Sequence, residues 1–412
     1  DKDPRFVSVI EGEENHHLLA SSLCINTAHP DSSDSDGTQL DMGAFPYLTD
    51  NDGSDWYVET SGSDVNGTGT SGNPFASIQA GLNFAVDNNS VHVGEGTYYE
   101  NVEWVIENQG MQLIGEDQAT TIIDGGGTGS VLSIDAIFPA DETHVSGFTL
   151  TNGYAEYGGG LKFYRSSANV SDMIITSNTA YSSFGAGGGM HIQGTASGPH
   201  YPTFDNIIVS NNFAAGNQYS GAGGIYTDYN IFPTFSNCII ENNYAANKAG
   251  GIWAHSYHSV TYNNCVIRNN EAASHGAIYS HLIHSGSIEM NDCEITGNIS
   301  TSPTENNYDI YMSTNVYLKN VLIADNSGPI YLRASGPNSS LENVTITNNG
   351  GGLHVGGGDD PVFNPGISIN NTIIAQNGDD PYHQFIAAPA NTLEVDVFIE
   401  YSLINGIWWA NG

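Results

Sequence analysis

The chain has 412 residues, 49 of them glycine, and carries 8 Lys and Arg against 45 Asp and Glu, a net charge of −37. So few cations cannot neutralise a phosphate backbone, which excludes nucleic acid as a partner, and the same charge disfavours an anionic membrane surface. No apolar run approaches the ~20 residues that a membrane helix needs, while 39% hydrophobic content is enough for a sizeable core.

Residues 1–55 read as an irregular acidic segment, built from DKDPRFV (Asp1–Val7), HHLLASSLCINTA (His16–Ala28) and DSDGTQLDMGAFPY (Asp34–Tyr47). DSDGTQLD contributes Asp34, Asp36 and Asp41, and DNDGSDW contributes Asp50, Asp52 and Asp55. Oxygen ligands alternating around a glycine resemble a Ca²⁺ loop, although neither run has the distant Glu of an EF-hand. Ca²⁺ is the one cofactor this pattern suggests, and an acidic turn or linker is the competing reading.

From Trp56 to the end the pattern becomes periodic. Short apolar runs at Trp56–Val58, Val91–Val93, Met111–Ile114, Thr121–Ile123 and Val131–Ile134 predict strands, and Ser77–Val86 (SIQAGLNFAV) predicts a short amphipathic helix. A seven-residue phrase ending in Asn then recurs at Asp172–Asn178, Asn206–Asn212, Asn237–Asn243, Asn264–Asn270, Asp292–Asn298, Asn320–Asn326, Asn343–Asn349 and Asn371–Asn377, with a looser relative at Gly147–Gly153. The starts of the eight lie 23 to 34 residues apart, so turns vary in length while strands keep register. Period-two spacing puts three ladders inward: Phe204, Phe235 and Tyr262 two residues ahead of the phrase, Cys238, Cys265 and Cys293 at its second position, and Ile240, Ile267 and Ile295 at its fourth. The three cysteines are therefore expected as buried apolar groups. The closing Asn is expected inward at a bend, bonded to its own coil and to the Asn above, in a structural role.

Glycine clusters such as Gly158–Gly160, Gly187–Gly189 and Gly250–Gly251 precede a further strand, and positive φ at a corner is the expected reason for them. The residue after each inward apolar of that strand points outward. Its column reads Lys162, His191, Tyr226, Trp253, Tyr279, Tyr311, Tyr331, His354. A flat exposed run of Tyr226, Trp253, Tyr279, Tyr311 and Tyr331 predicts a platform for a polysaccharide or a partner filament, with cross-strand stabilisation as the competing reading. Asn-x-Ser/Thr triplets, at Asn66 and Asn169 among others, leave room for attached glycan.

Three short strands per coil, stacked one strand spacing apart, make an all-β, right-handed parallel β-helix over residues 56–412. WYVETSGSDVNGTGTSGNPFASIQAGLNFA (Trp56–Ala85), VHVGEGTYYENV (Val91–Val102) and the Asn-ended repeats resemble the pectin-lyase-like superfamily, in particular its extracellular bacterial β-helix-repeat members. The resemblance implies a secreted or cell-surface protein with a short N-terminal capping helix. It also makes Asp1–Tyr47 look like a segment that follows the last coil in such proteins, so that copies of the chain would join end to end. The superfamily's enzymes imply a Lys or Arg base with an acidic Ca²⁺ site, or paired carboxylates. Neither constellation is evident, since Arg268 and Lys319 are isolated and Asp359–Asp360 and Asp379–Asp380 sit in turn-rich loops. The expectation is a non-enzymatic subunit of a head-to-tail surface filament or adhesin. The alternative is a carbohydrate-binding or carbohydrate-active β-helix.

Overall fold

The computed structural model describes residues 3–10, 14–49, 51, 53–106, 109–136, 142–183, 186–196, 198–216, 221–256, 259–281, 286–302, 308–313, 315–334, 339–357, 366–378, 385–387, 396–404 and 407–409. Their strands pair in parallel, coil upon coil, except at two antiparallel hairpins, Phe6–Ser8 with Asn15–Leu18 and Ser402–Ile404 with Ile407–Trp409. The expected parallel β-helix is what the chain forms.

One coil shows how the sequence writes the turn. Val260–Asn263 lies in a first sheet, Val266–Arg268 in a second, and Ile278–His281 in a third. Between the first two sheets the chain bends at Asn264 (φ 52), and it bends again after the second at Asn269 (φ 53). These are the first and sixth positions of the repeated phrase. Asp172, Asn206, Asn237 and Asn320 hold the first in other coils, Asn211, Asn242 and Asn348 the sixth, all with positive φ. Left-handed backbone is costly for most L-residues and cheapest for Gly, Asn and Asp, so the Asx-rich phrase encodes two corners as well as a strand.

The phrase's seventh residue is the inward Asn. Asn178, Asn212, Asn243, Asn270, Asn298, Asn326, Asn349 and Asn377 are all buried. Each of the first seven donates from Nδ2 to the Oδ1 of the next, at 3.1 Å from Asn178 to Asn212 and 3.0 Å from Asn243 to Asn270. The Nδ2 also reaches a backbone carbonyl, as in Asn270 to Ile240 O at 2.9 Å, and each Oδ1 accepts a backbone N–H from the coil below. A corner buried in an apolar core would otherwise leave these groups unpaired.

Two features differ from the sequence expectation. A fourth, two-residue ladder follows the Asn, running through Tyr154–Ala155, Thr179–Ala180, Phe213–Ala214, Tyr244–Ala245, Glu271–Ala272 and Ile299–Ser300. Its inward residues form a column of small side chains, Ala180, Ala214, Ala245 and Ala272. The glycine corners also have another cause than positive φ. Gly224 has ordinary φ, but a Cβ there would sit 2.6 Å from the carbonyl oxygen of Gly251, so close approach of successive coils selects glycine.

The core is a set of ladders. Phe204, Phe235 and Tyr262 stack at 4.8 and 5.2 Å, and Ile240, Ile267, Ile295 and Ile323 are fully buried, each contributing about 1.5–3 kcal/mol. Cys238, Cys265 and Cys293 are buried and unbridged in the same interior.

At the other end, Ile78–Phe84 forms the helix, with Ser77 Oγ accepting from Ala80 N at 3.3 Å. The segment ahead of Trp56 packs on this helix of its own chain. Asn83 Nδ2 donates to Ala20 O and Ser22 O, and Tyr47 packs against Phe75 and Phe84 while its hydroxyl donates to Gly67 O. Glu100 closes the helix start, accepting from Ile78 N at 2.7 Å and Gln79 N at 3.1 Å. Burial pushes its carboxyl up to about 7, against those two hydrogen bonds and with the Asp64 charge adding to the rise. A carboxyl raised on folding stabilises the fold fully below its unfolded value and loses that contribution as pH rises through the folded value. The protection factors of the helix amides should therefore be highest below about pH 4.5 and fall as pH rises through 7, and Glu100→Gln should abolish that fall. An unchanged fall in that variant would assign it to another group.

Candidate functional site

The third sheet presents two outward columns two residues apart. The first is the predicted one, and it is in register: Lys162 pairs with His191, then Tyr226, Trp253, Tyr279, Tyr311, Tyr331 and His354 follow coil by coil. Its exposure differs from expectation. Tyr226 is 1% and Trp253 2% accessible, and Tyr331 is buried as well. Tyr311 stacks on Tyr331 at 5.2 Å and 8°, Tyr279 on Tyr311 at 5.4 Å, and His275 covers Tyr279 at 4.6 Å. The rings spend their faces on one another, so the flat platform gives way to a stacked wall. Trp253 breaks the stack, standing edge-on to Tyr226 and Tyr279.

The second column was not singled out in the sequence. It runs Asp135, Tyr164, Gln193, Asp228, His255, His281, Ser313, Arg333. Alternation along each strand places it beside the rings, which is the signal that could have found it. Asp228 is its centre. Tyr226 Oη donates to Asp228 Oδ2 at 3.0 Å, and His255 Nδ1 lies 3.3 Å from Asp228 Oδ1. Burial would raise the Asp228 carboxyl, yet hydrogen bonds from His255, Ser256 and Tyr226, with the His255 charge, hold it below the ordinary value.

The surrounding side chains are mostly basic. Lys248 Nζ stands 4.5 Å from the centre of the Tyr279 ring and 5.4 Å from that of Trp253, and burial lowers its ammonium. Burial, with His255, Arg333 and Lys248 nearby, lowers His281 too, and burial brings His275 down to about 4. Arg165 pairs with Asp135 at 2.7 Å on the same face. Arg268 and Lys319, by contrast, sit on the second and first sheets, paired with Glu241 and Glu342.

The acidic loops have a different geometry. Asp34 Oδ2 accepts from Asp41 N, Asp36 from Thr38 N and Thr49 N, and Asp41 from Asn26 N and Tyr47 N. These oxygens organise turns, and Asp55 bonds His92 at 2.8 Å. Among the described residues no three His, Cys, Asp or Glu side chains gather as a metal site. Asp50 and Asp52 lie outside the described residues, as do Asp359–Asp360 and Asp379–Asp380.

A family model described as "Right handed beta helix region" matches residues 136–307. No curated protein sequence matches the chain. Among solved structures, the chain is similar to the lacto-N-biosidase of Eubacterium ramulus, at 10% identity and TM-score 0.42 over 84% of this chain and 67% of that one. It is also similar to a pectin methylesterase of Erwinia chrysanthemi, at 12% identity and TM-score 0.31 over 84% and 88%, and to a pectin methylesterase in complex with a hexasaccharide, at 12% and 0.31 over 85% and 90%. The expectation of a protein without enzymatic activity is corrected on this finding, because the solved structures it resembles are enzymes. At these identities the likeness is one of fold and assigns no activity.

Proposed function

We propose that this pectin-lyase-like, right-handed β-helix is a carbohydrate-active or carbohydrate-binding protein that engages an anionic glycan along the outward face of its third sheet. The observation that carries the reading is charge placement. Lys162, Arg165, Lys248 and Arg333, four of the chain's eight Lys and Arg, stand on one sheet face of a molecule with net charge −37. His191 and His255 stand on the same face, while His275 and His281, whose basicity burial lowers, add hydrogen-bonding groups there and not charge. Such a face focuses an anionic ligand that the rest of the surface repels. The wall of rings beside it offers apolar edges to sugar C–H groups, and Gln193, Asp228 and Ser313 offer polar partners for hydroxyls. An extracellular or cell-surface setting, where such glycans occur, is part of the same proposal.

Calorimetric titration with oligogalacturonate tests it. Lys248→Ala with Arg333→Ala should weaken binding about tenfold or more, a loss of about 1.4 kcal/mol or above, and added salt should weaken the wild type in the same direction. Release of reducing ends on incubation separates turnover from binding alone. Affinity unchanged by the double substitution removes the reading.

A further inference from the structure

A groove of about 980 Å³ opens at the other end of the solenoid, between the capping helix and the segment ahead of Trp56. We propose that it is a second carbohydrate site, for a neutral oligosaccharide. Its volume lies within the range of pockets that enclose a small ligand. Met42, Leu82, Val86 and Trp104 give it apolar walls, while Asn26 and Gln39 give it amide edges. That mixture suits a sugar ring, which is apolar on its C–H faces and polar around its rim.

Two observations narrow the ligand. Asn26 Nδ2 donates to Asn83 O at 2.9 Å, but its Oδ1 has no hydrogen-bond partner and is closed off from solvent behind the groove lining. An acceptor left unpaired costs about 1–3 kcal/mol, so a ligand that parts the lining and brings a hydroxyl or an amide N–H to that atom recovers the cost. The charged residues lining the groove are Asp36 and Glu103, with no Lys, Arg or His among the described residues around it. An anionic sugar would be repelled here. The ligand of this groove is therefore opposite in charge preference to the one proposed for the third sheet, and the two sites fail or stand separately.

Tryptophan fluorescence of a Trp253→Phe chain, which lacks the indole of the third sheet, reads the groove through Trp56 and Trp104, both of which line it. Titration with cellobiose and with chitobiose should give saturable changes, and digalacturonate should bind at least tenfold more weakly at the same wavelength shift. Asn26→Ala should weaken the neutral sugars about tenfold. Val86→Trp, at a position 54% exposed where the fold tolerates a larger side chain, should block them while leaving oligogalacturonate binding at the third sheet intact. No response to either neutral sugar at about 10 mM overturns the site. Binding that survives both substitutions overturns its location, and preference for digalacturonate overturns the charge argument.

Discussion

Asn270→Ala is expected to cost about 3–6 kcal/mol, because it strands several buried groups at once, each worth about 1–3 kcal/mol. The Asn270 side chain accepts from Asn243 N and Asn243 Nδ2 at 3.0 Å, and donates to Ile240 O at 2.9 Å and Asn298 Oδ1 at 3.0 Å. Alanine removes all four bonds from a position with no access to water. In a stack whose coils touch only their neighbours, the break lies mid-rod and separates the coils before it from those after. Denaturant unfolding should show the loss, and hydrogen exchange should show protection falling first around Asn243 and Asn298. Asn264→Gly is the counterpart. Asn264 is a left-handed corner, and its side chain makes one exposed bond, to Asn237 Oδ1. Gly147 already fills the equivalent corner in the looser phrase that opens the series, so this substitution should change stability by less than about 1 kcal/mol. Equal costs for the two variants would remove the distinction between corner and ladder.

That distinction also marks how far the sequence could be read. The inward ladders, the Asn column and the helix after Ser77 were legible because alternation and repeat position dictate which face a residue takes. The corners at phrase positions one and six were written just as plainly, in Asn, Asp and Gly, but a composition rich in Asn masks a local preference for positive φ. The two-residue ladder was too short for periodicity to register. Glycine was read for its φ, which holds at Gly158 (φ 59), but at most of the corners its missing side chain is what matters, a property that depends on the next coil and not on the residue itself.

The site was half legible for a related reason. Alternation located the column of Tyr226, Trp253, Tyr279, Tyr311 and Tyr331, but outward was equated with exposed. His275 covers Tyr279, Tyr308 packs on Tyr331, and Lys248 lies over Trp253, all brought in by the loops ahead of the corners. Loop length varies from coil to coil, so no repeat rule predicts that cover. Asp228 and His255 escaped notice because a search for Lys or Arg above an Asp passes over a histidine in the same place. The wall and the polar column together leave a narrow strip on which a ligand can lie, where a flat platform would have left the whole sheet.

Gly250→Ala tests the packing that builds this strip, and it is expected to destabilise by about 3 kcal/mol or more, the upper range for overpacking. A Cβ at Gly250 would stand 2.5 Å from Gly276 O, 2.6 Å from Glu271 N and 2.7 Å from Glu271 O. All three are backbone atoms held in the ladders of the next coil, so no rotamer change relieves the clash. Gly251→Ala should cost nearly as much, since a Cβ there would stand 2.6 Å from Ala277 O, whereas Gly72→Ala should be mild, because a Cβ at Gly72 meets nothing within 4 Å. The corner also joins Lys248 to the strand that carries Trp253 and His255. A Gly250→Ala protein that still folds should therefore bind oligogalacturonate less tightly, whereas Gly72→Ala should bind as the wild type. A melting temperature for Gly250→Ala equal to that of the wild type would show that the coils have slack at this corner. The glycine clusters would then need a reason other than close approach.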